Sequence, residues 1–228
     1  GHINAFSFCQ DKILTTAGEG GLVTTNDSGL WERMWSFKDH GKSWDAAYNR
    51  PHTGSFKYLH ESFGTNWRLT EVQGAIGRIQ LRRLPEWVAL RRRNAAMLRE
   101  SLSGLPGLRM PEPGPDFDHS YYKFYAFLDR SRLQPGWTRD RIAAEIQARG
   151  PFCGCGSCGE IYRELAFANA GVGPAEPLPI AHELHETSLM FQVHPTLSPA
   201  DMHTIGGIAR EVLETALGAQ SAFRARAA

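Results

Sequence analysis

The sequence predicts an α/β fold that continues into an α+β part. Two short apolar runs, Ile3–Phe8 and Leu22–Thr25, have the composition of strands, and the first of them is typical of a buried strand. Longer segments that begin near Leu30 and Glu71 place apolar residues at helical spacing. Strand and helix patterns alternate again later in the chain, so the elements should cover each other's apolar faces.

The first helix follows the second strand directly. Asp27 or Ser28 can cap it, because a short polar side chain accepts a hydrogen bond from the free N–H groups of a first helical turn. This helix should run from about Leu30 to Lys38. Residues 40–64 come next and are rich in glycine, histidine and serine without a clear period. Such a segment is typical of a long functional loop.

Two further helices are expected around Pro85. Thr70 and Gln73 form a capping-box pattern, which starts a helix over 71–84. Pro85 can open the next helix, because the first helical position needs no N–H donor. That helix should end near Leu102, before a turn rich in glycine and proline.

The remaining elements follow a hinge-like, proline-rich stretch at 111–115. The pattern predicts strands at Tyr121–Leu128 and Ser188–Val193, helices at Thr138–Ala148, Glu160–Ala168 and Ser198–Leu217, and a glycine- and cysteine-containing loop at 150–159. We therefore expect residues 1–103 to be the end of a larger α/β domain with a long connecting helix. Residues 104–218 should form a small α+β domain, and 219–228 a flexible tail.

Composition excludes several functional classes. The 228 residues carry 25 Lys and Arg against 24 Asp and Glu, a net charge of +1, so nothing favours nucleic acid or an anionic membrane as partner. No apolar run approaches the roughly 18 residues of a membrane span. Four cysteines are too few for a disulfide scaffold, which makes the cytoplasm the expected compartment.

Lys12 is the sharpest chemical feature of the sequence. The chain has 5 Lys against 20 Arg, and a lysine amine, unlike a guanidinium, can lose its proton and form a Schiff base. Lys12 follows a strand and precedes a glycine-rich turn, at the edge where α/β sheets build their sites. From the residues alone, the alternative is a solvated loop lysine.

Four short motifs follow one another along the chain. They are Ser7-Phe8-Cys9-Gln10-Asp11-Lys12 with Gly18-Glu19-Gly20-Gly21, Gly64-Thr65-Asn66-Trp67-Arg68, Tyr122-Lys123-Phe124-Tyr125, and Val193-His194-Pro195-Thr196-Leu197-Ser198. In this order they resemble the motifs of the DegT/DnrJ/StrS-type nucleotide-sugar aminotransferases, over about residues 2–217. Lys123 stands where the family pattern has histidine.

The resemblance implies a fold and a reaction. The fold is the C-terminal part of an aspartate-aminotransferase-like, fold type I transferase that depends on pyridoxal 5'-phosphate, starting just before the cofactor lysine. The cofactor is held as a Schiff base on Lys12. An amino-acid donor, usually glutamate, supplies an amino group for a keto group of a nucleotide-linked sugar. This chemistry serves cell-surface polysaccharide or glycoside synthesis.

The resemblance also assigns the other site residues. Ser7 and Asn66 bind the cofactor phosphate, and Asn66 does so across the two-fold axis of a homodimer. His194, Tyr122 and Arg68 are assigned to the substrate. From the residues alone, Ser7 can equally bond the backbone, His194 can be a satisfied core histidine, and Arg68 is favoured as the partner of an acid.

The cysteines at 153, 155 and 158 form a C-x-C-x-x-C pattern. Zinc would need a fourth ligand, which His182 or His185 could supply. The spacing is not that of paired Cys-x-x-Cys modules, and the interleaved glycines suit a tight loop near the substrate. We therefore expect no metal here.

Seven arginines lie in the segment Arg78–Glu100 against two glutamates. Such a cluster could bind a diphosphate or a nucleic acid. No aromatic platform accompanies it, so the sequence favours a solvated helix face.

The family's proteins are about twice this length, and their upstream half carries the acid that pairs with the pyridine nitrogen of the cofactor. Asp11, beside Lys12, is not a convincing substitute. The alternative function is therefore a catalytically incomplete fragment or an assembly module of the same fold.

Overall fold

The computed structural model describes residues 1–51 and 57–219. Contacts divide the chain into two compact units, one over Gly1–Pro85 and one from Glu86 onward. A long helix begins in the first unit and ends in the second, so the domain ranges expected from the sequence stay predictions. The expected flexible tail, 219–228, lies outside the described residues apart from its first residue.

The first unit begins with two short strands. Strands β1 (Asn4–Ser7) and β2 (Gly21–Thr24) pair antiparallel, with Ser7 opposite Gly21. Every residue of both strands is exposed, so the strand is confirmed but its expected burial is wrong. A strand becomes buried only when a second layer covers one face of its sheet, and β1 and β2 form a sheet of two strands alone.

Two capped helices follow. Helix α1 (Ser28–Lys38) is capped by Asp27, whose Oδ1 accepts a hydrogen bond from the Leu30 N–H at 2.8 Å. Helix α2 (Trp44–Tyr48) lies inside the expected loop, of which residues 52–56 are outside the described part. Ring contacts join four aromatic side chains of the two helices, with centroids 4.2 to 6.4 Å apart: Trp31, Trp35, Trp44 and Tyr48.

Helix α3 (Glu71–Leu102) is continuous over 32 residues. The capping box is confirmed, because the Thr70 N–H donates to Gln73 Oε1 at 3.1 Å and the Gln73 N–H donates to Thr70 Oγ1 at 3.3 Å. The expected end of one helix before Pro85 and the start of another at that residue are wrong. A proline removes one helical hydrogen bond, but tertiary packing of the flanking turns outweighs that loss.

The second unit is built on a four-stranded antiparallel sheet. Its strands are β3 (Leu108–Arg109), β4 (Phe124–Leu128), β5 (Cys153–Gly154) and β6 (Ser188–Phe191), in the order β3-β4-β6-β5. Both longer strands were predicted. Strand β6 is buried at every position, and β4 alternates buried and half-buried side chains. One face of the sheet is therefore fully buried against the core.

Helices complete this core. Helices α4 (Arg139–Ala148) and α7 (Pro199–Leu217) match their predicted ranges, and Ser198 forms a capping box with Asp201. Large side chains from α3, α4, α7 and the sheet meet without solvent exposure, among them Leu98, Ile142, Phe191 and Leu213. None of the described helices combines the length and the apolar composition that a membrane crossing requires.

The connection between β5 and β6 holds two short helices, α5 (Leu165–Ala170) and α6 (Pro179–Thr187). The sequence predicted one helix over 160–168, and the structure has a 3-10 turn at Ile161–Arg163 before α5. Helix α6 was not predicted. It begins with a proline at its first position, a start signal that the sequence contains.

We expect Leu98→Ala to destabilise the second unit by about 2–5 kcal/mol, because it removes a buried side chain and leaves a cavity. Urea unfolding followed by far-UV circular dichroism measures this. The matched control is Leu81→Ala on the same helix, where the side chain is exposed. An equal effect of both substitutions would contradict the described core.

Candidate active site

Lys12 lies in a loop that connects the two strands of the first unit. The loop spans residues 8–20 and is closed across the strand ends, where the Phe8 N–H donates to Gly20 O at 2.8 Å. Phe8 O accepts in turn from the Thr16 N–H at 3.2 Å and from Thr15 Oγ1 at 3.1 Å. The loop is therefore held at both ends by hydrogen bonds to one residue.

The amine of Lys12 is half-buried and points to a carboxylate. The Lys12 N–H donates to Cys9 O at 3.0 Å and fixes a turn, and Lys12 Nζ lies 3.3 Å from Asp11 Oδ1. Only 35% of the Lys12 side chain is exposed. The structure thus offers a primary amine on a short, ordered turn at the end of a strand.

Two glutamines of α3 hold this loop. Thr15 donates its N–H to Gln80 Oε1 at 2.8 Å, and Gln73 Nε2 donates to Glu19 O at 2.6 Å. Gly20 has no room for a side chain, because an added Cβ would lie 2.3 Å from Thr16 Oγ1. The sequence motif contained these residues, but only the fold shows that they attach the lysine loop to the first turns of α3.

Ser7 is the last residue of β1. Its Oγ accepts a hydrogen bond from the Cys9 N–H at 3.3 Å, which leaves the hydrogen of its own hydroxyl for another acceptor. Both the backbone role and the anion-binding role that the sequence allowed are compatible with this geometry.

Asn66 and Arg68 lie just before α3 and contact each other. Arg68 Nε donates to Asn66 Oδ1 at 2.9 Å, and Arg68 Nη1 lies 3.6 Å from Asp39 Oδ1. An acid therefore does pair with Arg68, and Arg68 fixes one end of the Asn66 amide. The sequence motifs do not single out Asp39, although it directly follows a helix that ends in lysine.

Asp39 is a buried carboxylate among cations. His40 Nδ1 lies 3.1 Å from Asp39 Oδ1, and Lys42 Nζ lies 3.5 Å from it. Burial favours the neutral acid, but the hydrogen bond from His40 and the charges of Lys42 and Arg68 outweigh it, so the pKa of Asp39 lies below its ordinary value. The carboxylate is thus ionised and anchors this part of the first unit.

The backbone around Asn66 pairs with the end of α1. The Thr65 N–H donates to Phe37 O at 2.7 Å, and the His40 N–H donates to Thr65 O at 2.9 Å. Gly64 permits this approach, because a Cβ there would lie 2.5 Å from the nitrogen of Gly41. The glycine of this motif therefore serves close backbone packing.

Tyr122 and His194 belong to the second unit. Tyr122 O accepts from Arg91 Nη1 at 3.1 Å, and Lys123 Nζ lies 5.0 Å from the centroid of the Tyr122 ring. The Thr196 N–H donates to His194 Nδ1 at 3.3 Å, so the neutral ring carries its hydrogen on Nε2. Partial burial and then the charge of Arg91 lower the pKa of His194, which favours this neutral form.

The predicted site residues therefore fall into two groups. Lys12, Ser7, Asn66 and Arg68 lie in the first unit, around the ends of β1 and the start of α3. Tyr122 and His194, described above, lie in the second. The side chain of His194 is exposed, so it is not the fully buried core histidine that the sequence left open.

The arginine-rich part of α3 differs from the expectation. Arg78, Arg82 and Arg83 are exposed, as a solvated face requires. The later four donate to main-chain carbonyl groups of the second unit: Arg91, Arg92, Arg93 and Arg99. The expectation of a wholly solvated face is wrong. An arginine side chain is long enough for its guanidinium to donate to loops that pack beside the helix.

The described side chains of the cysteine segment do not form a cluster of metal ligands. Cys153 lies in β5, and burial raises the pKa of its thiol to about 12. His182 Nδ1 lies 3.0 Å from Glu160, whose hydrogen bonds from Tyr162 and His182 lower its pKa to about 2. Within residues 1–51 and 57–219, no three or more His, Cys, Asp or Glu side chains are arranged to hold a metal ion.

Curated relatives share the sequence over most of this chain. The erythromycin biosynthesis sensory transduction protein EryC1 of Saccharopolyspora erythraea is 31% identical over 195 residues, which are 85% of this chain and 47% of that protein. The dTDP-3-amino-3,4,6-trideoxy-alpha-D-glucose transaminase of Streptomyces venezuelae is 35% identical over 148 residues, 65% of this chain and 34% of that protein. The chain thus spans about half, or less, of the length of these relatives.

Solved structures share the fold. The aminotransferase from Psychrobacter cryohalolentis superposes with a TM-score of 0.86 at 46% identity, over 94% of this chain and 55% of that one. S. venezuelae DesV, solved in complex with a ketimine intermediate, gives a TM-score of 0.78 at 31% identity, over 94% and 52%. The fold type I aminotransferase architecture expected from the sequence is confirmed, for about half of each solved chain.

One family accounts for these similarities. Its sequence model matches residues 1–209 and so includes all four motifs and all six predicted site residues. The chain therefore belongs to the DegT/DnrJ/EryC1/StrS aminotransferase family.

Proposed function

We propose that this chain is the cofactor-lysine part of a pyridoxal-5'-phosphate-dependent aminotransferase. It moves an amino group from an amino acid, with glutamate as the expected donor, to a keto group of a nucleotide-linked sugar. One observation carries the proposal, namely the amine of Lys12 on an ordered loop that α3 holds through Gln73 and Gln80. The family match and the names of relatives, such as GDP-perosamine synthase of Escherichia coli O157:H7, support the substrate class.

The residues of the first unit fit this cofactor. An aldehyde with a phosphate group needs a primary amine and several hydrogen-bond donors, and Lys12, Ser7 and Asn66 supply these groups. In addition, the buried Thr16 Oγ1 lies in the same loop and has no hydrogen-bond partner among the described residues. An unsatisfied buried hydroxyl is costly, which fits a loop that closes around a polar ligand.

Lys12 is the residue that carries chemistry in this proposal. When bound, pyridoxal 5'-phosphate supplies an electron sink for the substrate carbon. The amine of Lys12 must be neutral to attack a carbonyl, so the ammonium that pairs with Asp11 loses a proton first. Once neutral, Lys12 Nζ can accept a proton from a carbon acid and return it to another atom, which makes one residue both nucleophile and general base.

Ser7 and Asn66 are proposed to bind the phosphate. The Ser7 hydroxyl has its hydrogen available for an anionic oxygen, and the Asn66 amide is exposed with its oxygen held by Arg68. Because that oxygen already accepts a hydrogen bond, the amide N–H groups are the ones directed to a further partner. In a homodimer with a shared active site, this exposed amide would serve the cofactor of the second copy.

His194 and Tyr122 are proposed to bind the nucleotide-linked sugar. A neutral His194 with hydrogen on Nε2 is a donor for a sugar or phosphate oxygen. The aromatic face of Tyr122 and the amine of Lys123 beside it suit a ring with hydroxyl and phosphate groups.

A second candidate is an incomplete fragment or assembly module of the same fold. The first unit exposes large apolar side chains, among them Phe63, Trp67, Val72 and Leu81. Together with the span of about half of each relative, this observation favours a chain that binds the cofactor only within a larger assembly.

We expect pyridoxal 5'-phosphate followed by borohydride to label this chain once, at Lys12, because that amine lies on the ordered loop that Gln73 and Gln80 hold. Intact mass and peptide mapping locate the adduct. In Lys12→Arg, which keeps the charge but cannot react, the label should disappear.

Scattered labelling over Lys38, Lys42, Lys57 and Lys123 would contradict a formed pocket in the described chain. Site-specific labelling that appears only in a longer polypeptide would support the second candidate.

We expect Asp39→Asn to destabilise the first unit by about 1–3 kcal/mol at pH 7, because it removes an ionised, hydrogen-bonded acceptor. The lowered pKa of Asp39 means that its contribution is present above the ordinary carboxyl range and is lost as the pH falls through the lowered value. Tryptophan fluorescence during urea unfolding, at pH 7 and at pH 3, follows mainly this unit, which holds four of the six tryptophans.

The control is Asp45→Asn, an exposed carboxylate that pairs with Arg50. Its effect should be clearly smaller than that of Asp39→Asn, because water and salt screen an exposed ion pair. A difference between wild type and Asp39→Asn that does not shrink in acid would refute the electrostatic account.

A further inference from the structure

One turn of α3 reaches two distant segments of the second unit. Asn94 is fully buried, and its Nδ2 donates to His194 O at 2.9 Å and to Leu197 O at 3.4 Å. His194 O also accepts from the Leu197 N–H at 3.0 Å, which closes the turn that carries the histidine. The amide of Asn94 therefore fixes this turn from inside the protein.

Arg93 orients that amide. Its Nη2 donates to Asn94 Oδ1 at 2.8 Å and to Leu197 O at 3.0 Å, and its Nε donates to Asn94 Oδ1 at 3.1 Å. The oxygen and nitrogen of Asn94 are thus both satisfied. A buried network in which each polar atom has its partner holds one geometry.

Arg91 holds the second segment. Its Nη1 donates to Tyr122 O at 3.1 Å and to Tyr121 O at 3.3 Å. Tyr121 has a φ of 46°, in the left-handed region that side chains other than glycine rarely adopt. The contacts of Arg91 stabilise this strained backbone, directly before the predicted substrate residue Tyr122.

Arg91 is buried, but it does not form an ion pair with any described carboxylate. It is 4% exposed, none of the described carboxylates lies within 4.0 Å of it, and its Nε has no hydrogen-bond partner. Desolvation of the guanidinium lowers its pKa, a sign that its burial is costly. A buried charge without a counterion is a poor source of stability, which points to a role in the site.

We propose that Arg91 and Asn94 are positioning residues, which set the predicted substrate residues Tyr122 and His194 from one turn of α3 by holding their main-chain carbonyl groups. The proposal rests on the proposed function for the identity of the substrate, a nucleotide-linked sugar. The link from Arg91 to Tyr122 and from Asn94 to His194 does not depend on that identity, because it consists of hydrogen bonds within the described chain.

The position of Arg91 also bears on the chemistry of His194. Arg93 is the other charged group of α3 beside this turn, and no described carboxylate forms an ion pair with the imidazole. Partial desolvation and then the charge of Arg91 favour the neutral ring, with Nε2–H as a donor for the substrate. A change of charge at Arg91 should therefore alter the titration of His194.

The test follows the His194 ring by NMR in the full chain labelled with 15N-histidine, with assignment by His194→Gln. Arg91→Met should raise the pKa of the His194 imidazole, because it removes a cation, and Arg91→Lys should restore the wild-type titration. The matched control is Arg99→Met on the same helix, since Arg99 donates to Met110 O and Pro111 O, away from the predicted site.

A second arm measures binding of dTDP-glucose, UDP-N-acetylglucosamine and GDP-mannose by calorimetry. For whichever probe wild type binds, Asn94→Asp and Arg91→Met should weaken binding about tenfold or more, because small misplacements of binding groups are costly, while Arg99→Met should not. Circular dichroism confirms that each variant is folded.

Three results would overturn the proposal: an unchanged His194 titration in Arg91→Met, an equal change in Arg99→Met, or probe binding by folded Asn94→Asp and Arg91→Met that equals that of wild type. If wild type binds none of the three probes, the proposed function fails, whereas the His194 titration still decides whether Arg91 acts on that residue. The two failures are therefore distinguishable.

Discussion

Side chains of helix α3 hold the loops that carry the predicted site residues in each unit. Within the first unit, Gln73 and Gln80 on its early turns hold the lysine loop. Within the second unit, Arg91 and Asn94 on its later turns hold the backbone at Tyr122 and His194. A helix is rigid because each residue is fixed by hydrogen bonds to the turns before and after it. Loops that form hydrogen bonds to its side chains are therefore held in one conformation.

Buried charged side chains have two different kinds of surroundings in this protein. Asp39 and Glu160 are buried carboxylates, and each has cations and hydrogen-bond donors around it that lower its pKa. Arg91 is a buried cation whose hydrogen-bond acceptors among the described residues are carbonyl oxygens. The first arrangement stabilises a local fold, because the ionised form is favoured. The second leaves a net charge inside the protein, and this charge acts on the neighbouring imidazole of His194.

The sequence predicted most elements because their signals are local. The Asp27 cap of α1 and the capping boxes at Thr70 and Ser198 each involve residues within four positions of each other. The helix boundary predicted at Pro85 is wrong for the same reason, since proline is a local stop signal. The structure continues the helix through it, because the later turns are buried against a sheet and two helices that lie far away in sequence.

The family motifs, Lys12 in the first of them and the capped ends of the helices depend on neighbouring residues, so they could be predicted from the sequence. That Asp39 anchors Arg68, and that an arginine of a charged helix face turns inward to Tyr122, became visible in the fold alone. The same holds for the exposure of β1 in the described chain. Burial and pairing join residues 30 to 100 positions apart, and no short pattern encodes which distant carbonyl or carboxylate a side chain will meet.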